Sequence, residues 1–245
     1  MRQRVLKPAL CLVLAFFACV APANQPAKAF KIVLDPGHSL AAPGALGVRA
    51  VHEVNYNNVF AAELARALQA AGVQVSVTRQ PGEEITLDQR TEIANTSGAD
   101  LFLSLHHDSA QLRYLQPITV NNMPAWRSTI ALQGYSIFVS AVNPLYETSL
   151  EFAKAIALRL HALGRKPALH HAEKIPGEGR ELLDARLGIY RFDELLVLRK
   201  TKIPAVLLEV GVIVDEDDEA YVKSAENRAA MISAIVSAVG SSSKH

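Results

Sequence analysis

Cysteine is nearly absent from this chain: Cys11 and Cys19 are its only two, and both stand near the N-terminus. The stretch that holds them begins with Arg2, Arg4 and Lys7 and continues as an apolar run over residues 9–20. Two small-residue sites follow, Ala21-Pro22-Ala23 and Ala27-Lys28-Ala29. Basic, then apolar, then A-x-A is the order of a secretory signal peptide. The run falls short of the about 20 apolar residues that span a bilayer, so the mature form is expected to have no membrane span. Bulky Phe16-Phe17 ahead of Cys19 argues against a lipoprotein. Residues 1–29 are therefore read as the leader, 30–239 as one domain and 240–245 as a tail. Once the leader is removed no cysteine remains, which excludes a disulfide, a thiolate metal ligand and a cysteine nucleophile.

Excess charge is also missing. The whole chain carries a formal +1. Loss of the leader's basic residues leaves −2 or −3, depending on the cleavage site. Such a protein has no net attraction for anionic polymers, and nucleic-acid binding is not expected. Several catalytic motifs are absent. There is no G-x-S-x-G nucleophile elbow and no phosphate-binding P-loop, and Gly177-Glu178-Gly179 lacks the third glycine and preceding strand of a dinucleotide site. His52-Glu53-Val54-Asn55-Tyr56 has no second histidine, so the H-E-x-x-H zinc helix is absent too. No internal repeat and no linker to a second module can be discerned.

What remains alternates between two periods. Short apolar runs at 31–35, 74–78, 100–106, 134–140, 195–198 and 205–210 read as strands. Residues 54–71 carry Phe60, Leu64 and Leu68 at helical spacing, and Gly72 stops them. Helices are also expected over 87–95, with Thr86 as N-cap, over 145–163, and over 225–239. The polar stretch 108–133 reads as loop, with Pro117, Pro124 and Asn121-Asn122 as breakers. Residues 165–194 give no clear period. Strand–helix alternation predicts an α/β fold: one three-layer domain with a mostly parallel, twisted sheet between helices.

In such a sheet the carboxyl ends of the strands face a common crevice. His38 follows the first strand, His106 ends the third, and Glu209 stands near the end of the last. Glu53 sits just before the long helix, where a carboxylate suits the positive end of the dipole. Two histidines and a carboxylate suit zinc and leave a fourth position for water. A further carboxylate must then take the water's proton, and Glu209 is the natural one. It stands in the apolar run 205–213, where a charge is costly without a partner. Each residue has a plainer reading. His38 in Asp-Pro-Gly-His can cap a turn. His106 and His107 point to opposite faces of a strand, and spacing does not say which is the ligand. His52 and Glu53 can form a surface pair. His170-His171 reads as surface rather than ligand, and Asp35 as a turn former or a support for His38.

Four segments together resemble the zinc-dependent N-acetylmuramoyl-L-alanine amidases, which trim peptidoglycan. They are Ile32-Val33-Leu34-Asp35-Pro36-Gly37-His38; Glu53 with Asn55; Arg90 to Asn95 followed by Ala99-Asp100-Leu101-Phe102-Leu103-Ser104-Leu105-His106; and Leu198-Arg199 with Ile203-Pro204-Ala205-Val206-Leu207-Leu208-Glu209-Val210-Gly211. The resemblance implies one Zn2+ ion held by His38, Glu53 and His106, with Glu209 catalytic. It selects His106 over His107 because Ser104, His106 and Asp108 fit the Ser-x-His-x-Asn/Asp pattern. It also implies peptidoglycan as partner, an activating or localising protein as a further one, a monomer, and a secreted location in the periplasm. The chain departs from the family at Ser39-Leu40, where glycines usually follow the first histidine, and in the long 110–133 stretch, a candidate lid or groove wall. No plugging helix is discernible. A zinc peptidase of wall peptides and an inactive wall-binding or activator protein are the rival readings.

Overall fold

The computed structural model describes residues 29–242. The expected leader up to residue 28, with Cys11 and Cys19, lies outside them, as do the last three residues. A seven-stranded sheet forms the centre. Its strands are β1 (Lys31–Pro36), β2 (Gln74–Val77), β3 (Leu101–Asp108), β6 (Ser136–Val139), β7 (Glu181–Asp184), β8 (Ile189–Arg191) and β9 (Ala205–Val212), in the order β2-β1-β3-β9-β6-β8-β7. Pairing is parallel across β2, β1, β3 and β9 and between β6 and β8. It is antiparallel where β6 meets β9 and β7 meets β8.

Both faces of the sheet are covered, which is why its strands are apolar on both sides. One face carries the long helices α1 (Glu53–Ala70), α3 (Tyr146–Ala162) and α6 (Ala225–Ser242). Phe60, Leu64, Ile156, Leu160 and Ile235 from these helices pack on Ile32, Leu34, Leu103 and Leu208. The other face carries α2 (Leu87–Thr96) and the short α4 (Leu196–Arg199). There Ala94, Val197 and Leu198 cover Val33, Phe102 and Leu207. Neighbours along one strand therefore serve opposite layers, as the period of two requires. Full burial of each large aliphatic side chain contributes about 1.5–3 kcal/mol before the entropy of ordering it. The expected α/β three-layer architecture is the one observed. Among the described residues no helix is long and apolar enough to cross a membrane.

Three expectations fail locally, and one segment that carried no reading forms a helix. Residues 108–133 are not simply loop: they contain a hairpin of β4 (Leu115–Val120) and β5 (Met123–Ser128). Asn121 and Asn122 adopt φ of 51° and 63°, the paired positive values of a type I′ hairpin turn. Pro117 and Pro124 fit because a two-stranded ribbon has free edges where no donor is needed. Residues 195–198 are not a strand, since 196–199 form α4; so short an apolar run carries no usable period. The acidic segment Glu216–Lys223 forms a helix, α5, capped by the Asp215 carboxylate accepting from Asp217 and Asp218 N–H. The last helix runs on to Ser242, past the expected end at 239.

Thr86 caps α2 as expected. Its hydroxyl accepts from Gln89 N–H while the Gln89 side chain accepts from Thr86 N–H. Thr86→Ala removes one half of this capping box and is expected to cost about 1 kcal/mol, read as a lower urea midpoint at unchanged slope.

Candidate metal centre and catalytic carboxylate

The chain turns sharply after β1, and His38 takes a φ of 64°, a strained conformation for a non-glycine residue. Three successive carbonyls hold that turn. Arg90 donates to Pro36 O and His38 O at 2.7 Å each. Arg79 donates to Gly37 O at 2.9 Å, and Asn57 to the same oxygen at 3.2 Å. Arg90 is fixed in turn by Asp35 at 2.7 Å. Asp35 also accepts from Thr78 Oγ1 at 2.6 Å and Ser104 Oγ at 2.8 Å. Asp35 thus supports the His38 turn through Arg90 and takes no part in it as a ligand.

Glu53 opens α1 and is buried. Its Oε2 lies 3.0 Å from His38 Nε2 and accepts from Ala45 N–H at 3.1 Å. Its Oε1 lies 2.9 Å from His106 Nδ1 and accepts from His107 N–H and Asn57 Nδ2, each at 3.2 Å. The two imidazoles meet edge to face, with centroids 4.9 Å apart. One ligand atom from each of His38, Glu53 and His106 lies within 4.8 Å of the other two. His38 Nδ1 lies 3.2 Å from Ala42 O; donation there leaves the Nε2 lone pair turned toward Glu53. A lone pair facing a carboxylate needs a proton or a metal ion between them.

The electrostatics follow. Burial opposes charge on His38, but the hydrogen bond and charge of Glu53 outweigh it and raise the imidazole above its ordinary pKa. Burial likewise opposes ionisation of Glu53, and the two histidines overcome it, holding the carboxylate well below its usual range. His107 behaves differently. It points to the other side, where its Nδ1 donates to Asn57 Oδ1 at 2.8 Å, and burial pushes it down to about 3. It is a neutral spacer that orients Asn57. The alternative His52–Glu53 surface pair does not form, since Glu53 turns inward.

Two glycines make the cradle possible. A Cβ on Gly37 would stand 2.2 Å from His106 Nε2, and one on Gly44 2.4 Å from Glu53 Oε2 and 2.7 Å from His38 Cδ2. Gly44 also has a φ of +75°. The small residues that the loop lacks at Ser39-Leu40 are thus supplied on either side of it. The donor set of two imidazoles and one carboxylate fits a borderline divalent ion such as zinc.

Glu209 pairs in register with His106 on β3 and with Ser136 on β6. Its Oε2 is buried and without a hydrogen-bond partner. Burial, then the negative charges of Asp108 and Glu53, push its carboxyl well above the usual range. A cleft of about 410 Å3 opens beside His38 and His106, walled also by Leu195, Val197 and Leu207. His38, Glu53, His106 and Glu209 therefore come together at the carboxyl ends of β1, β3 and β9, as the topology predicts.

His170 and His171 are not surface residues. They form a 3-10 turn beside the end of β3, where both stand against Asp108, and His170 is 5% exposed. Burial opposes charge on His171, but Asp108 and then Glu178 outweigh it and push it up to about 10. A doublet in a segment without a period gave no sign of this.

Known proteins share both sequence and fold. Over 219 residues the chain is 29% identical to "Probable cell wall amidase LytH" of Staphylococcus saprophyticus, covering 88% of this chain and 59% of that protein. The counterpart in Staphylococcus epidermidis is 28% identical over 215 residues, covering 87% and 58%. The chain thus spans somewhat over half the length of these relatives. Among solved structures, the N-acetylmuramoyl-L-alanine amidase of Clostridium difficile 630 superposes with a TM-score of 0.67 at 22% identity, covering 87% of this chain and 96% of that one. Ami1, the N-acetylmuramyl-L-alanine amidase of Mycobacterium smegmatis, gives a TM-score of 0.67 at 21%, covering 88% and 97%. A family profile described as N-acetylmuramoyl-L-alanine amidase matches residues 32–241, from β1 through α6 and across every element that carries the site, so the chain belongs to that family.

Proposed function

We propose that the chain hydrolyses the amide bond between N-acetylmuramic acid and L-alanine in peptidoglycan, with one zinc ion held by His38, Glu53 and His106 and with Glu209 as general base and then acid. The observation that carries this reading is the convergence of those three ligand atoms on one point, beside the Glu209 carboxylate, whose Oε2 is buried and unpaired. Zinc at such a centre supplies Lewis acidity toward a carbonyl and lowers the pKa of water toward ~7.

The chain's own residues do the rest. Glu209 takes a proton from the attacking water as the new carbon–oxygen bond forms at the lactyl carbonyl. It then delivers that proton to the alanine nitrogen as the carbon–nitrogen bond breaks. The products are a free lactyl carboxylate on the sugar and a peptide with a free amine. A proton carrier needs a pKa near the working pH, and the apolar surroundings of Glu209 move it that way. The open cleft admits a polymer, and its Leu195 and Val197 wall limits water on one side. The order of basic, apolar and small residues at the N-terminus supports export, with the periplasm as the site of action.

Digestion of purified wall sacs by the zinc-loaded protein tests this, with a chelated control and mass spectrometry of the soluble products. The expected products are intact stem peptides beginning with L-alanine, absent from the control. Peptides cut internally would replace the reading with a zinc peptidase. Sacs that bind protein but release nothing would replace it with a wall-binding protein.

A further inference from the structure

A second group of ligand atoms lies outside the centre just described. Asp108 Oδ2 stands 3.2 Å from His170 Nε2 and 2.8 Å from His171 Nε2. One ligand atom from each of Asp108, His170 and His171 lies within 4.8 Å of the other two. We propose that Asp108, His170 and His171 form a second metal site, which takes a divalent transition ion of the zinc class independently of His38, Glu53 and His106.

Three observations support it. First, both ring nitrogens of His170 lack an aligned hydrogen bond although the side chain is almost fully buried. An unsatisfied buried imidazole is costly, and its Nε2 lies 3.2 Å from the one Asp108 oxygen that is not taken by the backbone. Asp108 Oδ1 accepts from Ser109 N–H; Oδ2 faces the histidines. Second, the outer contacts are those that orient a ligand. His171 Nδ1 lies 3.0 Å from Glu178 Oε2, and a carboxylate on the far nitrogen fixes the tautomer that leaves Nε2 free for metal. Gln111 holds Glu178 at 2.8 Å, and Phe138 and Tyr190 present their rings to His171 at 5.1 and 5.7 Å. Third, the charges balance. Asp108 and Glu178 bring two carboxylates into a buried setting, and one divalent ion offsets both when it takes the place of the proton on His171. Zinc bonds of about 2.1 Å at tetrahedral angles set donors about 3.4 Å apart. The two spacings from Asp108 Oδ2 need only a small outward adjustment.

The segment is also well tied down. His171 O accepts from Gly179 and Arg180 N–H, and Tyr114, ahead of the hairpin, donates to Glu173. The long 110–133 stretch and the 165–194 stretch without a clear period thus meet beside this site. Two adjacent histidines and an aspartate offer the donor types that zinc takes, and an imidazole-rich set disfavours magnesium or calcium.

The test is metal content. The whole protein, stripped with a chelator and dialysed against micromolar zinc, is expected to retain two equivalents by mass spectrometry of the metal. Changing His170 and His171 together to alanine is expected to leave one, and His38→Ala with His106→Ala is expected to leave the other one. One equivalent in wild type that survives loss of His170 and His171 would overturn the second site. One equivalent that survives loss of His38 and His106 would instead overturn the first, so the two failures are distinguishable. Should the variants fold poorly, anomalous scattering at the zinc edge from wild-type crystals decides alone. Two peaks support the proposal, and a single peak at His38 refutes it.

Discussion

Glutamine in place of Glu209 is expected to lower the release of stem peptides by roughly a thousandfold while zinc at the His38 centre is retained, since general acid–base groups contribute about 10²- to 10⁴-fold. The change keeps the shape of the side chain but removes its capacity to take a proton. The same substitution is expected to stabilise the metal-free protein. Glu209 places an oxygen in a buried position without a partner, and its carboxyl is pushed above the usual range first by burial and then by Asp108 and Glu53. A glutamine amide also lacks a partner there, but it carries no charge. A gain of about 1–2 kcal/mol is expected, which for a domain of this size raises the melting temperature by several degrees.

The pH dependence fixes the sign. A carboxyl whose folded pKa lies above its unfolded value binds more protons in the folded state. Its contribution to stability is full below the ordinary carboxylate pKa of 4.5 and declines as pH rises through the raised one. Metal-free wild type should therefore lose stability over that window, and Glu209→Gln should lose less. Activity runs the opposite way on its acid side, because protonated Glu209 cannot accept the proton of water. Loss of activity together with a higher metal-free melting temperature marks a functional residue that the fold holds at a cost. A variant that is both inactive and less stable would instead mark Glu209 as structural and end the proposed mechanism.

The four residues of the proposed centre were legible because chemistry and topology agree about them. His38, His106 and Glu209 end or follow strands, and parallel strands deliver their carboxyl ends to one crevice. Glu53 heads a helix whose period is plain in Phe60, Leu64 and Leu68. The clamps around them were not legible. Arg79, Asn57 and Arg90 act on backbone carbonyls far away in sequence, and a charge on a short helix ordinarily reads as a solvated face. The aspartate of Ser104-x-His106-x-Asp108 was visible, but its histidine partners were not, because residues 165–180 are shaped by tertiary contacts rather than by a period of their own. The hairpin was misread for a different reason. Asn121-Asn122 reads as a breaker, yet two residues that tolerate positive φ are themselves the signal for a tight hairpin turn. The short β7 and β8 are not legible because strands of three or four residues carry too few side chains to show a period and take their order from the sheet they join.

Methionine in place of Arg90 is expected to have the largest effect on stability. The Asp35–Arg90 pair is buried on both sides, with side chains 1% and 4% exposed. A buried pair is not in itself a strong source of stability, but removing one partner strands the other and costs about 3–5 kcal/mol. Asp35 would keep only the hydroxyls of Thr78 and Ser104 against its full charge. Pro36 and His38 would lose the donor to their carbonyls, and among the described residues Arg90 is the donor that holds the His38 carbonyl at its positive φ. The melting temperature should fall by roughly 10 °C or more, measured with chelator present so that bound metal does not mask the loss. The loosened turn should also weaken zinc binding at the His38 centre by about 10- to 100-fold, the usual cost of removing a group that orients a ligand, read by competition with a chromogenic chelator. The two effects separate the roles of the clamp. Asp35→Asn leaves Arg90 near the carbonyls but turns an amide donor toward donors, so it should cost comparable stability while retaining more of the zinc affinity. Equal loss of affinity in both variants would mean that the turn answers to the ion pair as a whole. Undiminished affinity in Arg90→Met would mean that Arg79 and Asn57, through Gly37 O, suffice to aim His38.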